Sequence, residues 1–203
     1  PTEARSFPFL EISDFNIFWL CPFCKVKTGF KSDKVIELQW LLAEILTDQN
    51  TKSKLVASVC AIEGCSYQLQ KTLMNYNSTD LAKTFISGAS NEKQLLFPPI
   101  PNFIFTRDIG IVVKDHLILN KPAKIARHRE TLLARYIFFH HPMFIAYRNN
   151  IIELKQNRPL FLMPENDNGN RITLEGGDVM MVSPEHLIVG ISERTSAAAA
   201  AQL

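Results

Sequence analysis

The sequence predicts an α/β, propeller-like fold of repeated hairpin modules with an α-helical bundle inserted, and three observations lead there. Two stretches seventy positions apart carry one pattern, Asp108-Ile-Gly-Ile-Val-Val-Lys-Asp-His-Leu-Ile-Leu-Asn120 and Asp178-Val-Met-Met-Val-Ser-Pro-Glu-His-Leu-Ile-Val-Gly190. Asp, Val, His, Leu and Ile fall in identical register, and each copy is an apolar run, a polar turn and a second apolar run, the signature of a β-hairpin. A long period with one hairpin per unit marks a supersecondary module used more than once. The second observation is that an acidic residue heads each copy, Asp108 after Thr-Arg and Asp178 after Glu175-Gly-Gly. Carboxylates facing inward from repeated modules would line a central site. The third is that the stretch before the first copy has helical, not alternating, periodicity.

In chain order, residues 1–33 are aromatic-rich and form a poorly assignable N-terminal segment, in which Cys21-Pro-Phe-Cys24 has the spacing of a redox or metal motif. A zinc site would need two further ligands. Cys60 and Cys65 fit that role poorly because they lie on a helical stretch, so ordinary buried or free thiols are expected. Residues 34–95 read as a helical bundle. Val35, Leu38, Leu41, Leu42 and Ile45 share one helical face, and Leu55, Val56, Val59 and Ile62 mark a second helix ending near Gly64. Leu69, Leu73, Leu81, Phe85 and Ile86 mark later helices, with Ser78-Thr79-Asp80 as an N-cap region and Gly88 as a stop.

Residues 96–203 read as incomplete α/β modules, entered through the stiff Leu96-Phe-Pro-Pro-Ile-Pro-Asn102 segment, whose prolines exclude a central strand. A plain strand over 102–108 would put Asn102, Ile104, Thr106 and Asp108 on one face. His128 to Phe139 reads as a helix with Leu132, Leu133, Tyr136 and Phe139 inward, broken at His140-His141-Pro142. A short strand is expected at Leu160-Phe-Leu and a turn at Asn166–Asn170, before Ile172 leads into the Glu175 segment. Thr195 or Ser196 caps a final alanine helix. With no initiator Met and a helix that stops after two turns, the chain reads as a fragment, with an exposed apolar edge expected on the α/β part.

At 203 residues and 46% hydrophobic, the chain can bury a sizeable core. A net charge of +2 carries no nucleic-acid footprint. No apolar run reaches the length of a membrane span and no secretory leader is visible, so a cytoplasmic protein is expected.

Pro101-Asn102-Phe-Ile-Phe105-Thr-Arg-Asp108, then Glu175-Gly-Gly-Asp178, then Ser192-Glu-Arg194-Thr resembles the ordered motifs of the arginine deiminase family of guanidine-modifying enzymes. The resemblance is firm over residues 96–195. It implies the pentein fold, an α/β-propeller of five modules, here partial and carrying the helical insertion that shorter pentein relatives lack. It also implies a small-molecule substrate, arginine or another guanidino compound. No cofactor, metal, nucleic acid or membrane is implied, and a homo-oligomer is compatible with it.

Its site residues transfer onto matching positions. A guanidinium is a planar cation with five donors in a fixed fork, so carboxylates recognise it through paired charge-assisted bonds. Asp108 is the expected guanidinium carboxylate, with Asn102 and Phe105 as further substrate contacts. Glu175 is expected to orient a catalytic histidine. Asp178, placed among the substrate-binding residues, is also suited to tying its own turn. Arg127 and Arg194, each nineteen positions after Asp108 and Glu175, are expected to hold the substrate α-carboxylate, and Arg129 is expected to be a solvated neighbour. Gly176 and Gly177 remove side chains where the chain bends or another group comes close.

The family's nucleophile is a late Cys, with a His-x-Asp segment as acid/base, and none of Cys21, Cys24, Cys60 or Cys65 has the matching context. The expected reaction, L-arginine and water to citrulline and ammonia, would then use a Cys outside these residues, and this chain alone would not turn over. An amidinotransferase of the same fold, or a non-catalytic binding module, are the alternatives.

Overall fold

The computed structural model describes residues 37–100, 103, 105–156 and 171–203. The segment 1–33 with Cys21 and Cys24, Asn102, the strand expected at 160–162 and the turn expected at 166–170 lie outside them. Helix α1 (Leu38–Ile45) buries Leu38, Leu41, Leu42 and Ile45, the face its spacing predicts. Helix α2 (Gln49–Glu63) starts where the Asp48 carboxylate accepts the Thr51 N–H, and buries Leu55, Val56, Val59 and Cys60. Ile62, assigned to the same face, is 40% exposed because it falls at the edge of that stripe in the last turn, just before the Gly64 cap. Helix α3 (Tyr67–Met74) follows, capped by Ser66.

Helix α4 (Ser78–Ser87) is capped not from within Ser78–Asp80 but by Asn77, whose side-chain oxygen accepts the Asp80 N–H at 2.8 Å. Gly88 ends it at φ 75°. A Cβ there would meet the Phe97 carbonyl oxygen at 2.1 Å, so only glycine lets the proline-rich segment cross back over the helix end.

The α/β part opens with a correction. Asp108 does not lie on a strand: residues 106–109 form one helical turn, α5 (Thr106–Ile109), closed by the Asp108 N–H on the Phe105 carbonyl at 3.0 Å. Ile109, at the end of the turn, lies in the core. Strands β1 (Ile111–Val113) and β2 (His116–Ile118) then form the first hairpin, and Lys114 takes the positive φ, 53°, of its two-residue turn. Helix α6 (His128–His140) crosses to β3 (Ile151–Ile152), which pairs parallel to β2. It ends at His141 before the 3-10 segment Pro142–Asn150. Leu133 and Tyr136 are buried as predicted, whereas Leu132 and Phe139 are half-buried and Ile137 and Phe138 take the inner positions.

The second copy is also a hairpin, β4 (Val179–Ser183) with β5 (His186–Val189), followed by the short α7 (Ala197–Ala200) capped by Ser196. The two copies do not pair identically. Ile111 faces Ile118, but its counterpart Met181 faces Leu187, because an irregularity between Met181 and Ser183 shifts the ladder by one residue. The cause is in the turn: Pro184 stands where Lys114 adopts φ 53°, and a proline ring cannot take a positive φ. Residue Val182 absorbs the difference as a bulge would. Among the described residues the strands form a three-stranded and a two-stranded sheet and close no propeller. The architecture is mixed α/β. No helix among the described residues is long and apolar enough to cross a membrane. Met180, Met181, Val182, Ile188 and Ile191 leave an exposed apolar surface on and beside the second hairpin.

Two cores hold the chain. The larger joins α1, α2 and α4 to α6 and to Leu117 and Leu119, so the helical block and the crossover helix share one interior. The smaller gathers Ile111, Ile118, Leu154, Ile172, Leu174, Val179 and Ala199. Adjacent residues Leu117 and Ile118 thus face opposite cores, as strand alternation requires. Arg129 overturns its expected solvation. It is 3% exposed, with Nη1 on Glu63, Nη2 on the Pro98 carbonyl, and its guanidinium 4.5 Å from the Phe97 ring centroid. The distant partners from α2 and the proline segment explain why local sequence did not show it.

His128 and His140, at the two ends of α6, both sit below the ordinary imidazole value of 6.5. Burial is the main cause, reinforced by Arg171 at His128 and by Arg148, Lys54 and Arg135 at His140. As pH falls, the unfolded chain therefore takes up these protons before the folded chain does. Their contribution to stability is complete above the unfolded value and is lost as pH falls through the folded one. The Tm should drop between about pH 7.5 and 5.5, and His128→Gln should flatten that drop. A slope unchanged in the variant would contradict the assignment.

Candidate active site

The short 3-10 turn Ile125–Arg127 runs directly into α6 and delivers the Arg127 side chain to the space between α5 and the Gly176–Asp178 turn. Three carboxylates meet it there. Nη2 lies 2.9 Å from Asp108 Oδ2, Nε 2.9 Å from Glu130 Oε2, and Nη1 3.0 Å from Glu175 Oε2. The Arg127 side chain is 4% exposed, and those of Asp108, Glu130 and Glu175 are 14%, 2% and 7% exposed. The contacts are not equal. The Nε–H is aimed at Glu130 as a hydrogen bond, whereas Nη1 and Nη2 sit at ion-pair distance with their N–H bonds off the line to the carboxylates. Burial alone would weaken the Arg127 charge, but Glu130 first, then Asp108 and Glu175, more than offset it and hold its pKa above the ordinary value.

Asp108 and Glu175 are each tied through their own backbone. The Asp108 carbonyl accepts the Asn120 side-chain N–H at 2.9 Å, which ties α5 to the end of the first hairpin. The Glu175 N–H donates to Thr195 Oγ1 at 3.0 Å, and Thr195 is fully buried. Gly176 is where the first two motifs touch: a Cβ there would lie 2.0 Å from the Arg107 carbonyl oxygen. Gly177 has nothing within 4 Å of that position, so crowding explains only the first of the pair.

Arg194 stands at the rim, 58% exposed, with Nη1 3.4 Å from Glu175 Oε2. Asp178 ties its turn together, its carboxylate accepting the Ser192 hydroxyl at 3.0 Å and its carbonyl the Gly190 N–H at 2.8 Å. Phe105 is 54% exposed beside α5. The sequence-predicted Asp108, Glu175, Arg127 and Arg194 are thus brought together, while Asp178 and Phe105 take no part in this ion cluster. Among the described residues, three carboxylates and two guanidiniums meet here.

All three ordered motifs therefore converge on this one cluster, and the arginine deiminase family model matches the chain over residues 31–203. The chain belongs to the arginine deiminase family. It is 31% identical over 172 residues to the arginine deiminase of Borrelia garinii subsp. bavariensis, covering 85% of this chain and 35% of that protein. It is 37% identical over 123 residues to that of Borrelia duttonii, covering 61% and 26%. To that of Bacillus cereus strain B4264 it is 28% identical over 192 residues, covering 84% and 44%. The chain spans less than half the length of these curated arginine deiminases.

Glu130 and Asn120 were not anticipated. The signal for Glu130 was present, since Arg127 and Glu130 stand three apart at a helix start, a spacing that lets side chains meet. Asn120 gave none, because its partner is a backbone carbonyl twelve positions earlier. Of the cysteines among the described residues, Cys60 is buried in α2 and its pKa is pushed up to about 12, first by burial and then by Cys65. Such a thiol is a poor source of thiolate.

Proposed function

We propose that this chain is the guanidine-binding part of an arginine deiminase-type hydrolase, which converts L-arginine and water to citrulline and ammonia. The observation that carries the reading is that Asp108 and Glu175, from motifs far apart in sequence, converge on one guanidinium, that of Arg127. Asp108, already at ion-pair distance from an internal guanidinium, is a carboxylate suited to that of a substrate, and Glu175 stands beside it.

In this reading Asp108 polarises the substrate guanidinium and Glu175 orients a histidine lying outside these residues. Arg127 and Arg194 take the α-carboxylate, with Asn102 and Phe105 as further substrate contacts and Asp178 shaping the turn beneath. Arg127 is free to exchange partners at its loosely aligned Nη edge while Nε stays on Glu130. A Cys thiolate outside these residues attacks the guanidinium carbon. Ammonia leaves with a proton from the histidine, and water hydrolyses the covalent thiouronium to citrulline. Residues 96–203 would be incomplete pentein modules and 34–95 an inserted helical bundle, in a cytoplasmic protein that needs no cofactor or metal and is compatible with a homo-oligomer.

Arg194→Ala, made in the full-length protein that carries this sequence, tests the substrate. Deimination of arginine should fall by about tenfold or more in kcat/KM through loss of a charge-assisted carboxylate contact, while agmatine, which lacks the carboxylate, should change little. Equal losses on the two substrates would remove the carboxylate role, and a wild-type protein that forms no citrulline would remove the reaction itself.

A further inference from the structure

We propose that Cys60 and Cys65 form a redox-modification site, at which a peroxide closes a disulfide across the last turn of α2. Neither thiol belongs to the Arg127 cluster, and both are free. Gly64 ends α2 at φ 64°, and the chain then folds back so that the Cys65 N–H donates to the Cys60 carbonyl at 2.9 Å. This closure of a helix end brings the side chains of its first and last residues together. With standard bond lengths, that one hydrogen bond keeps the two Cα atoms within about 7 Å, the reach of a disulfide. The thiols also hydrogen-bond to each other, so both sulfurs point into the same space.

Exposure sets the order of events. Cys60 is 4% exposed in the core, whereas Cys65 is half-buried beyond the helix end, so a peroxide meets Cys65 first. The Cys65 sulfur attacks one peroxide oxygen and the O–O bond breaks. The other oxygen leaves as water with the thiol proton, and Cys65 becomes a sulfenic acid. The Cys60 sulfur then attacks that of Cys65: the S–S bond forms, the S–O bond breaks, and a second water leaves with the Cys60 proton. Two thiols thereby lose two electrons to one peroxide. Burial makes Cys60 slow towards reagents in solution, but a sulfenic acid held beside it requires no encounter. The closed turn carries Glu63, which pairs with the buried Arg129 of α6. Oxidation therefore locks the point at which α2 grips α6.

The test treats the full-length protein with hydrogen peroxide, then alkylates it and cuts it with trypsin, which leaves both cysteines on one peptide, Leu55–Lys71. That peptide should lose about 2 Da and take up no alkyl group, and dithiothreitol should restore both thiols. Closure should be about tenfold faster in the native protein than in urea, where the turn is gone. Gly64→Ala strains the positive φ without a clash and should slow closure severalfold. Cys65→Ser should leave Cys60 unmodified, and should abolish the rise of a few degrees in Tm that oxidation gives the wild type. A peptide alkylated twice after peroxide, a Cys65 carried on to sulfinic acid beside a free Cys60, or equal closure rates in native and unfolded protein would each overturn the proposal.

Discussion

Asp108→Ala in the full-length protein should lower citrulline formation by about 3 kcal/mol of transition-state stabilisation or more, roughly a hundredfold or greater in kcat/KM. Two losses combine. The carboxylate assigned to the substrate guanidinium disappears, and Arg127 Nη2 loses the partner 2.9 Å away. Removing one side of a pair this sheltered leaves the other charge poorly compensated, which is the costly way to break it. The fold should survive, since the α5 turn is closed by main-chain atoms and the Asn120 amide reaches the Asp108 carbonyl, which alanine keeps. Circular dichroism and citrulline release on the same preparations check both halves. Full activity in the variant would end the guanidine-site assignment.

The second large effect is on stability. Gly176→Ala should destabilise the protein by about 3 kcal/mol or more, at the upper end of what overpacking costs. The new methyl would lie 2.0 Å from the Arg107 carbonyl oxygen and 2.4 Å from its carbon, and backbone cannot step aside as a flexible side chain would. Relief would come only by parting the two motif turns, so Asp108 and Glu175 should lose their spacing too. Gly177→Ala is the control, with open space at the same atom, and should change stability little. Denaturant titration of both variants decides it; similar midpoints would mean that the close approach is unimportant.

Local signals were legible where local forces decide. The apolar stripe of α1, the Gly88 stop and both hairpins follow from spacing and turn chemistry, and the structure places them as read. The motif order likewise foretold that Asp108, Glu175, Arg127 and Arg194 would meet. What stayed hidden depended on partners far along the chain. Arg129 looked solvated because Glu63 and Pro98 stand 66 and 31 positions away. Asp108 looked like a strand residue because strand alternation over 102–108 was as good as a helical turn, and the bond from the Asp108 N–H to the Phe105 carbonyl decides for the turn. The shift between the hairpins could have been read, since Pro184 cannot reproduce the turn that Lys114 makes.

The division of the interior into two cores has a consequence for how the cluster comes apart. Arg127 and Glu130 begin the helix that fills the large core, and Ile109 anchors Asp108 to that same core. Glu175 instead lies between Leu174 and Val179 of the smaller one. A sub-global opening of the smaller core would carry Glu175 away while Asp108, Arg127 and Glu130 stayed in place, so amide exchange around 172–179 would outpace that along α6. A substrate held by Asp108 at one end and Arg194 at the other would span the boundary between these cooperative units. Its binding energy would then appear as slower exchange in the weaker unit, coupling the stability of the second hairpin to occupancy of the site.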